Sequence, residues 1–573
     1  MRHLCRHRPL WRRVGLLACT LLAACQPATQ LLPTPNALLP TTDVGKPPSS
    51  PAPTPEALPT LPPEGYWVQP GVPYTLMERL TPVLEEAGLV EVAMPQEAIV
   101  RVVLNPGPQA TLTAQWVYAP AAPFPTVPDG LSWEGLQGYW LNGSLGGLPD
   151  FGAPPQLVLT RDVADYLTFL LGPPAEGLPM QIAAPAALTD AAWNLRPAIS
   201  ILPFDALTPR WKVLTLDGRS VLDKVLDVGQ YPLVAQVGLE AEGERGAQIA
   251  AGLEARGLWP TTNRDPSRMT VLVMTGVTAL VRATAMQMSL RGYDWPAQAI
   301  LPFFADADIL HTSNEVSFAA DCPPPDWYGE PSGFCSAPDN FRLLQTIGLD
   351  VVELTGNHIN DRGTAAFAYT LDLYDANGIV YYGGGRNLED ARTPRILRVP
   401  DGTHIAFIGC NVPGPWKAFA TAQTPGAAPC DDWSAITEAI RALKAGGEAD
   451  VVIATLQYWE LDSYAPSAEQ VADFRRLAEA GADIVSGSQA HQPQGFAFEG
   501  GAFIHYGVGN LFFDQMDYLE NRQMFADKHI LYEGRHISTV LFTGLMEAWA
   551  QPNPMTPEDR AAFLQTIFAA SGW

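Results

Sequence analysis

Six times between residues 270 and 510 an apolar run of strand length closes on a polar cluster: TVLVMTG (270–276), LDVVELTGNH (349–358), HIAFIGCN (404–411), ADVVIATLQ (449–457), ADIVSGSQAH (482–491) and FIHYGVGN (503–510). Each reads as a strand followed by a loop. Helical stretches fill the intervals. In SAEQVADFRRLAEAG (467–481), Val471, Phe474, Leu477 and Ala478 share one face and Gly481 closes the end. Such alternation predicts an α/β layer architecture, in which sites form beyond the carboxyl ends of the strands. The polar clusters are therefore where chemistry is expected: Asn314-Glu315, Asn357-His358, Gln489-Ala490-His491, and His505 with Asn510 and Asp514.

An earlier region, residues 65–264, alternates in the same way with shorter segments. QLVLTRDVADYLTFLLG (156–172) reads as strand then helix, MQIAA (180–184) as a short strand and AISILPFDAL (198–207) as a buried strand with a turn. Residues 198–239, with Tyr231-Pro232-Leu233 after a variable insert, resemble the second lobe of type 2 periplasmic solute-binding proteins. That resemblance implies either a solute-binding lobe or an interaction platform of the same fold.

From residue 269 to 573 the clusters and their order resemble the CapA family, linked to poly-γ-glutamate capsules and related to calcineurin-like metallophosphoesterases. The carriers are LTGNHINDRG, DIVSGSQAHQPQ, IHYGVGNLFFDQ and the tail QPNPMTPEDRAAFLQTI. The resemblance implies a layered α/β sandwich of metallophosphatase type, preceded by the smaller solute-binding-like α/β domain. It also implies a site that holds divalent cations (Mn, Zn or Mg), which polarise a substrate and acidify a bound water. Carried over residue by residue, Glu315, Asn357, His358 and His491 fall on ligand positions, and Asn357 and His358 on catalytic ones.

Three expected ligands are replaced. Gly276-Val277 stands where the family has Gly-Asp, and Gln457 and Gln489 stand where it has histidines. Losing one carboxylate and two imidazoles removes charge and donor strength. What remains is a single ion held by Glu315, His358, His491 and Asn357, with Asp361, Glu353 or His505 as substitutes, or no metal at all. Gln457, Gln489 and His505 would then line a substrate pocket that reads a peptide-like polymer through hydrogen bonds. Two functions stay open: a metal-dependent hydrolase or transferase, and a catalytically silent surface protein that keeps the fold.

Composition limits the partners. The chain has 573 residues and a formal charge of −25. The five arginines before Cys25 leave 30 basic against 60 acidic side chains beyond it, −30. That charge repels phosphate backbones and excludes a nucleic-acid partner. An anionic polymer would need a local basic pocket, for which Arg282, Arg291, Arg362 and Arg386 are candidates. Tyr382-Gly383-Gly384-Gly385 lacks the Lys and Ser/Thr of a P-loop and reads as a turn. No Gly-x-Ser-x-Gly elbow is present.

The beginning of the chain reads as an export signal over residues 1–24: basic residues, then eleven apolar or small residues from Val14 to Ala24. That run is too short to span a bilayer, which needs about 20. Leu22-Ala23-Ala24-Cys25 resembles a bacterial lipobox, implying a diacylglyceryl group on Cys25, membrane attachment through it, and a place on the outer face of the cell membrane. Residues 25–64 follow as a linker, with twelve prolines between 26 and 63. Of the later cysteines, Cys322, Cys335, Cys410 and Cys430 would form two disulfides in an oxidising compartment. Closing the Pro-rich loop favours Cys322 with Cys335, and a zinc site is the weaker alternative because no C-x-x-C pair occurs.

Overall fold

A computed structural model describes residues 64–327 and 333–573. The export signal, Cys25 and all but the last residue of the linker lie outside the described residues.

The first region builds a nine-stranded mixed sheet. Its strands run Val90–Glu91, Gly65–Val68, Ala98–Leu104, Val234–Ala241, Leu112–Pro123, Ala198–Pro203, Gln156–Leu159 and Met180–Ile182, and Trp211–Val213 adds to Leu112–Pro123. The expected strand-then-helix of 156–172 is present as Gln156–Leu159 and Arg161–Leu171.

The second region is a sandwich of two sheets. One runs Val380–Tyr382, Val351–Glu353, Ile309–Asn314, Met269–Thr278, Gln523–Tyr532, Arg535–Glu547 and Gln551–Pro554, with Asn510–Phe512 beside Met269–Thr278. Its first four strands are parallel and the last three antiparallel. The other runs Arg395–Arg398, His404–Asn411, Val451–Gln457, Ile484–Ser488, Ala502–His505 and Phe496–Glu499, parallel through its middle. Strand Val451–Gln457 is buried along its whole length. Val451 and Ile453 pack with Leu272, Ile309 and Phe525 of the facing sheet, while Val452, Ala454 and Leu456 pack with Ile436, Phe474 and Leu477 of the covering helices. A strand covered on both faces has to be apolar throughout, which is why the six runs lack polar alternation.

Local signals set the helix ends. In Ala468–Ala480 the Ser467 side chain accepts from the Gln470 amide at 3.1 Å, and Gly481 takes the left-handed conformation at φ 114°. The first and second regions share an apolar core that holds Phe204, Trp211, Met269 and Tyr532 together, and Phe204 meets Tyr532 edge to face at 5.0 Å. The result is a mixed α/β protein with several sheets. Both disulfides are formed, Cys322 with Cys335 and Cys410 with Cys430, so none of the four thiols is free for zinc.

Candidate functional site

The expected residues follow the carboxyl ends of neighbouring strands. Ile309–Asn314 leads to Glu315, Val351–Glu353 to Asn357 and His358, Ile484–Ser488 to Gln489 and His491, and Gln457 ends its own strand. Two close approaches hold the loops together. A Cβ on Gly356 would lie 2.7 Å from the Glu315 Cα, and one on Gly276 would lie 1.9 Å from the Gly509 carbonyl oxygen. Only glycine fits at either point.

An amide network occupies the middle. Gln457 Nε2 donates to Gln489 Oε1 at 2.8 Å and to Asn357 Oδ1 at 3.4 Å. Ser488 Oγ donates to Gln457 Oε1 at 3.1 Å and to Glu353 Oε1 at 3.0 Å, where Thr355 Oγ1 also donates at 2.5 Å. Burial raises the pKa of the Glu353 carboxyl, against the pull of those hydroxyls. Gln489 adopts a left-handed φ of 65°, a conformation uncommon for a side chain of its size, and so reaches back to Gln457.

His358 stands beside this network, about one third exposed. Its Nδ1 shares a hydrogen bond of 2.8 Å with Asp361 Oδ2, and Lys417 Nζ donates to Asp361 Oδ1 at 2.8 Å. Burial pulls the imidazole pKa down. The Asp361 hydrogen bond and the Glu315 and Asp361 charges outweigh burial and the opposing Lys417 charge, and the result is raised. Burial pushes Asp361 up, but its hydrogen bonds with His358 and Lys417 dominate and hold it at about 2. Glu315 is 2% exposed, and its Oε1 has no hydrogen-bond partner. His491 is buried, with Nδ1 2.8 Å from Asn510 Oδ1 and its ring against Phe513.

Several expectations need correction. His505 is fully buried between the sheets, its Nδ1 2.6 Å from Asp527 Oδ2 and its ring 4.1 Å from that of Phe496. It is a paired core histidine and lines no pocket with Gln457 and Gln489, because its side chain points to the inter-sheet face. The arginines form no basic pocket either. Arg282 is bound to Asp514, Arg386 to Asp372 and Asp375, Arg362 lies 3.8 Å from Asp321, and Arg291 donates to Gln287. Ser488, Lys417 and Phe334, whose ring meets that of His358 edge to face at 4.9 Å, are neighbours of the site that the sequence did not single out. Ser488 sits inside a noted cluster, whereas Lys417 lies 56 residues from Asp361 with no local signal.

This donor set does not fit a two-cation centre. Val277, at the expected carboxylate position, packs with Val281, Val316 and Phe513. Gln457 and Gln489 bind each other. Among the described residues no group of three or more His, Cys, Asp or Glu is placed to hold a metal ion. Neutral amides that satisfy one another make poor ligands for a hard or borderline cation. The arrangement offers hydrogen-bond recognition through amides, with one histidine–carboxylate pair and one buried carboxylate that has an unpartnered oxygen beside it.

Fold and site together define a layered α/β protein whose polar residues cluster at the carboxyl ends of parallel strands. Residues 271–515 match the family model described as Bacterial capsule synthesis protein PGA_cap, so this region of the chain is similar to the PGA_cap/CapA family. Among curated relatives, the Capsule biosynthesis protein CapA of Bacillus anthracis is 23% identical over 299 residues, covering 52% of this chain and 72% of that protein. The PGA biosynthesis protein CapA of Bacillus subtilis is 28% identical over 179 residues, covering 31% of this chain and 46% of that protein. Among solved structures, an ABC-type phosphate transport receptor from Vibrio cholerae is similar at 12% identity, over 34% of this chain and 96% of that one, with a TM-score of 0.27.

Proposed function

We propose that this protein is an exported, lipid-anchored member of the CapA family that acts on a capsule-type extracellular polymer of the poly-γ-glutamate kind, by binding and not by two-metal hydrolysis. The observation that carries the reading is the bond between Gln457 and Gln489, with Asn357 and Ser488 joined to it, where the family pattern has histidine ligands. Amide groups both donate and accept, and so suit the repeating amides of a peptide-like chain. The relatives' names support the polymer. Two disulfides suit an oxidising compartment, and the Leu22-Ala23-Ala24-Cys25 sequence supports lipidation.

The test is metal content by mass spectrometry on the full chain, purified without chelator and offered Mn²⁺ or Zn²⁺, beside a Val277→Asp, Gln457→His, Gln489→His variant. The expected result is far less than one ion per native chain, uptake by the variant, and polymer binding that survives chelator. About one or two ions per native chain, lost in His358→Ala, would refute the reading.

A second reading rests on Glu315, whose Oε1 is buried without a partner, and on the His358–Asp361 pair. These could act as acid and base on a γ-glutamyl bond. Turnover in chelator, abolished by His358→Ala, would establish it.

A further inference from the structure

We propose that a second cleft binds a small organic cation carrying a primary or quaternary ammonium group. The cleft encloses about 480 Å³, and none of the amide-network residues lines it. The loops that form it come from far apart in the chain, bringing Arg282, Trp327, Glu460, Asp517 and Trp549 to one place.

Aromatic rings form part of its wall. Trp327 and Trp549 meet edge to face with centroids 5.7 Å apart, and both remain about 40% exposed; Tyr518 also lines the space, 69% exposed. Folding leaves these rings uncovered although each would gain by burial. The turn that presents Trp549 is held in an unusual conformation. Ala548 and Trp549 take left-handed φ values of 47° and 65°, and Arg282, which also lines the cleft, takes 47°. Left-handed conformations in bulky residues persist only where the surroundings enforce them.

The charge of the cleft selects the ligand. Arg282 is the single cation among its lining residues, and it is neutralised by Asp514, which also accepts the Ala283 amide at 2.7 Å. Glu460, Asp462 and Asp517 line the same space and engage in no ion pair among the described residues. Three negative charges therefore stand beside two indoles. An anion, including a polyglutamate, is repelled, and a neutral molecule gains only from the rings. A cation gains from the carboxylates and from the negative faces of the rings together. The cleft adjoins the first site through Arg282, which lies over Phe513 and Phe334, the rings against His491 and His358, but it shares no residue with the amide network, and the inference stands whether or not the polymer reading holds.

The experiment titrates the full chain with tetramethylammonium, with choline and with the uncharged carbon analogue of choline, reading calorimetric heat and tryptophan emission at low ionic strength. Saturable binding of both cations is expected, with choline about tenfold or more tighter than its uncharged analogue, a difference of about 1.4 kcal/mol. Trp327→Ala and Trp549→Ala should each weaken choline about tenfold, and Asp462→Asn with Asp517→Asn should do the same while circular dichroism stays unchanged. The carboxamide pair alters no packed group, so it remains decisive if an indole variant misfolds. Equal affinity for choline and its uncharged analogue, no saturation by any probe, or full affinity in the carboxamide pair would overturn the proposal.

Discussion

Acidification should unfold this protein through histidines buried between the sheets. His311 and His536 are both buried, and burial lowers each to about 3, the Ser538 carbonyl opposing the shift at His536. His529 is lowered by burial and then by the charges of His536, His505 and His311. Their surroundings are hydroxyl groups and a backbone carbonyl: Tyr382 Oη 2.8 Å from His311, Thr539 Oγ1 2.9 Å from both His529 and His536, and the Ser538 carbonyl 3.0 Å from His536. The nearby hydrogen-bonded pair is His505 with Asp527. A depressed imidazole pKa means the unfolded chain binds protons that the folded chain refuses. The stability is therefore fully present above the unfolded value, about 6.5, and is lost as pH falls toward the folded one.

Each such histidine contributes a slope of about 1.4 kcal/mol per pH unit, so three together contribute about 4. Between pH 6.5 and 5, with the slope building up from half its value at the unfolded pKa, the loss is about 5 kcal/mol, comparable with the whole stability of an ordinary domain. His358 has the opposite sign: its raised pKa contributes stability below about 6.5 that is lost as pH rises through the folded value, so it adds no slope in the acid window. Urea denaturation followed by circular dichroism at several pH values between 7.5 and 5 would measure the slope. His536→Gln, which can keep a bond to Thr539, should reduce it by about a third. A flat profile, or a slope unchanged in the variant, would refute the reasoning.

Three further outcomes are expected. Asp361→Asn should lower the His358 pKa, followed by NMR titration of the imidazole, since the Asp361 hydrogen bond and charge offset its burial. Phe474→Ala should cost about 3–5 kcal/mol in denaturant unfolding, because the ring is fully buried between its helix and the strand Val451–Gln457. Replacing Cys322 and Cys335 by serine should cost about 3 kcal/mol by loop-closure entropy, read as a lower melting temperature; an unchanged one would exclude that contribution.

The strands were legible because a parallel strand with cover on both faces has a local signature that survives without any partner. All six apolar runs are strands, and Ser467 and Gly481 mark a helix that needs only its own residues. Ligand replacement was legible too, since Val277, Gln457 and Gln489 depart from a family pattern at known places. His505 was misplaced for a physical reason. Neighbouring strand residues point to opposite faces, and the run FIH contains nothing that says which face meets the other sheet.

The partners of charged groups were equally hidden. Arg282 meets Asp514 across 232 residues, and Lys417 meets Asp361 across 56. Sequence alone determined where the strands run, where their polar ends fall and which family the C-terminal region resembles, because those properties depend on short-range hydrophobic pattern and motif order. Tertiary structure alone decided that Gln457 bonds Gln489, that Arg282 and Arg386 are occupied by acids, and that Trp327 faces Trp549. Such contacts form only when distant segments are packed together, and no spacing along the chain encodes the distance between them.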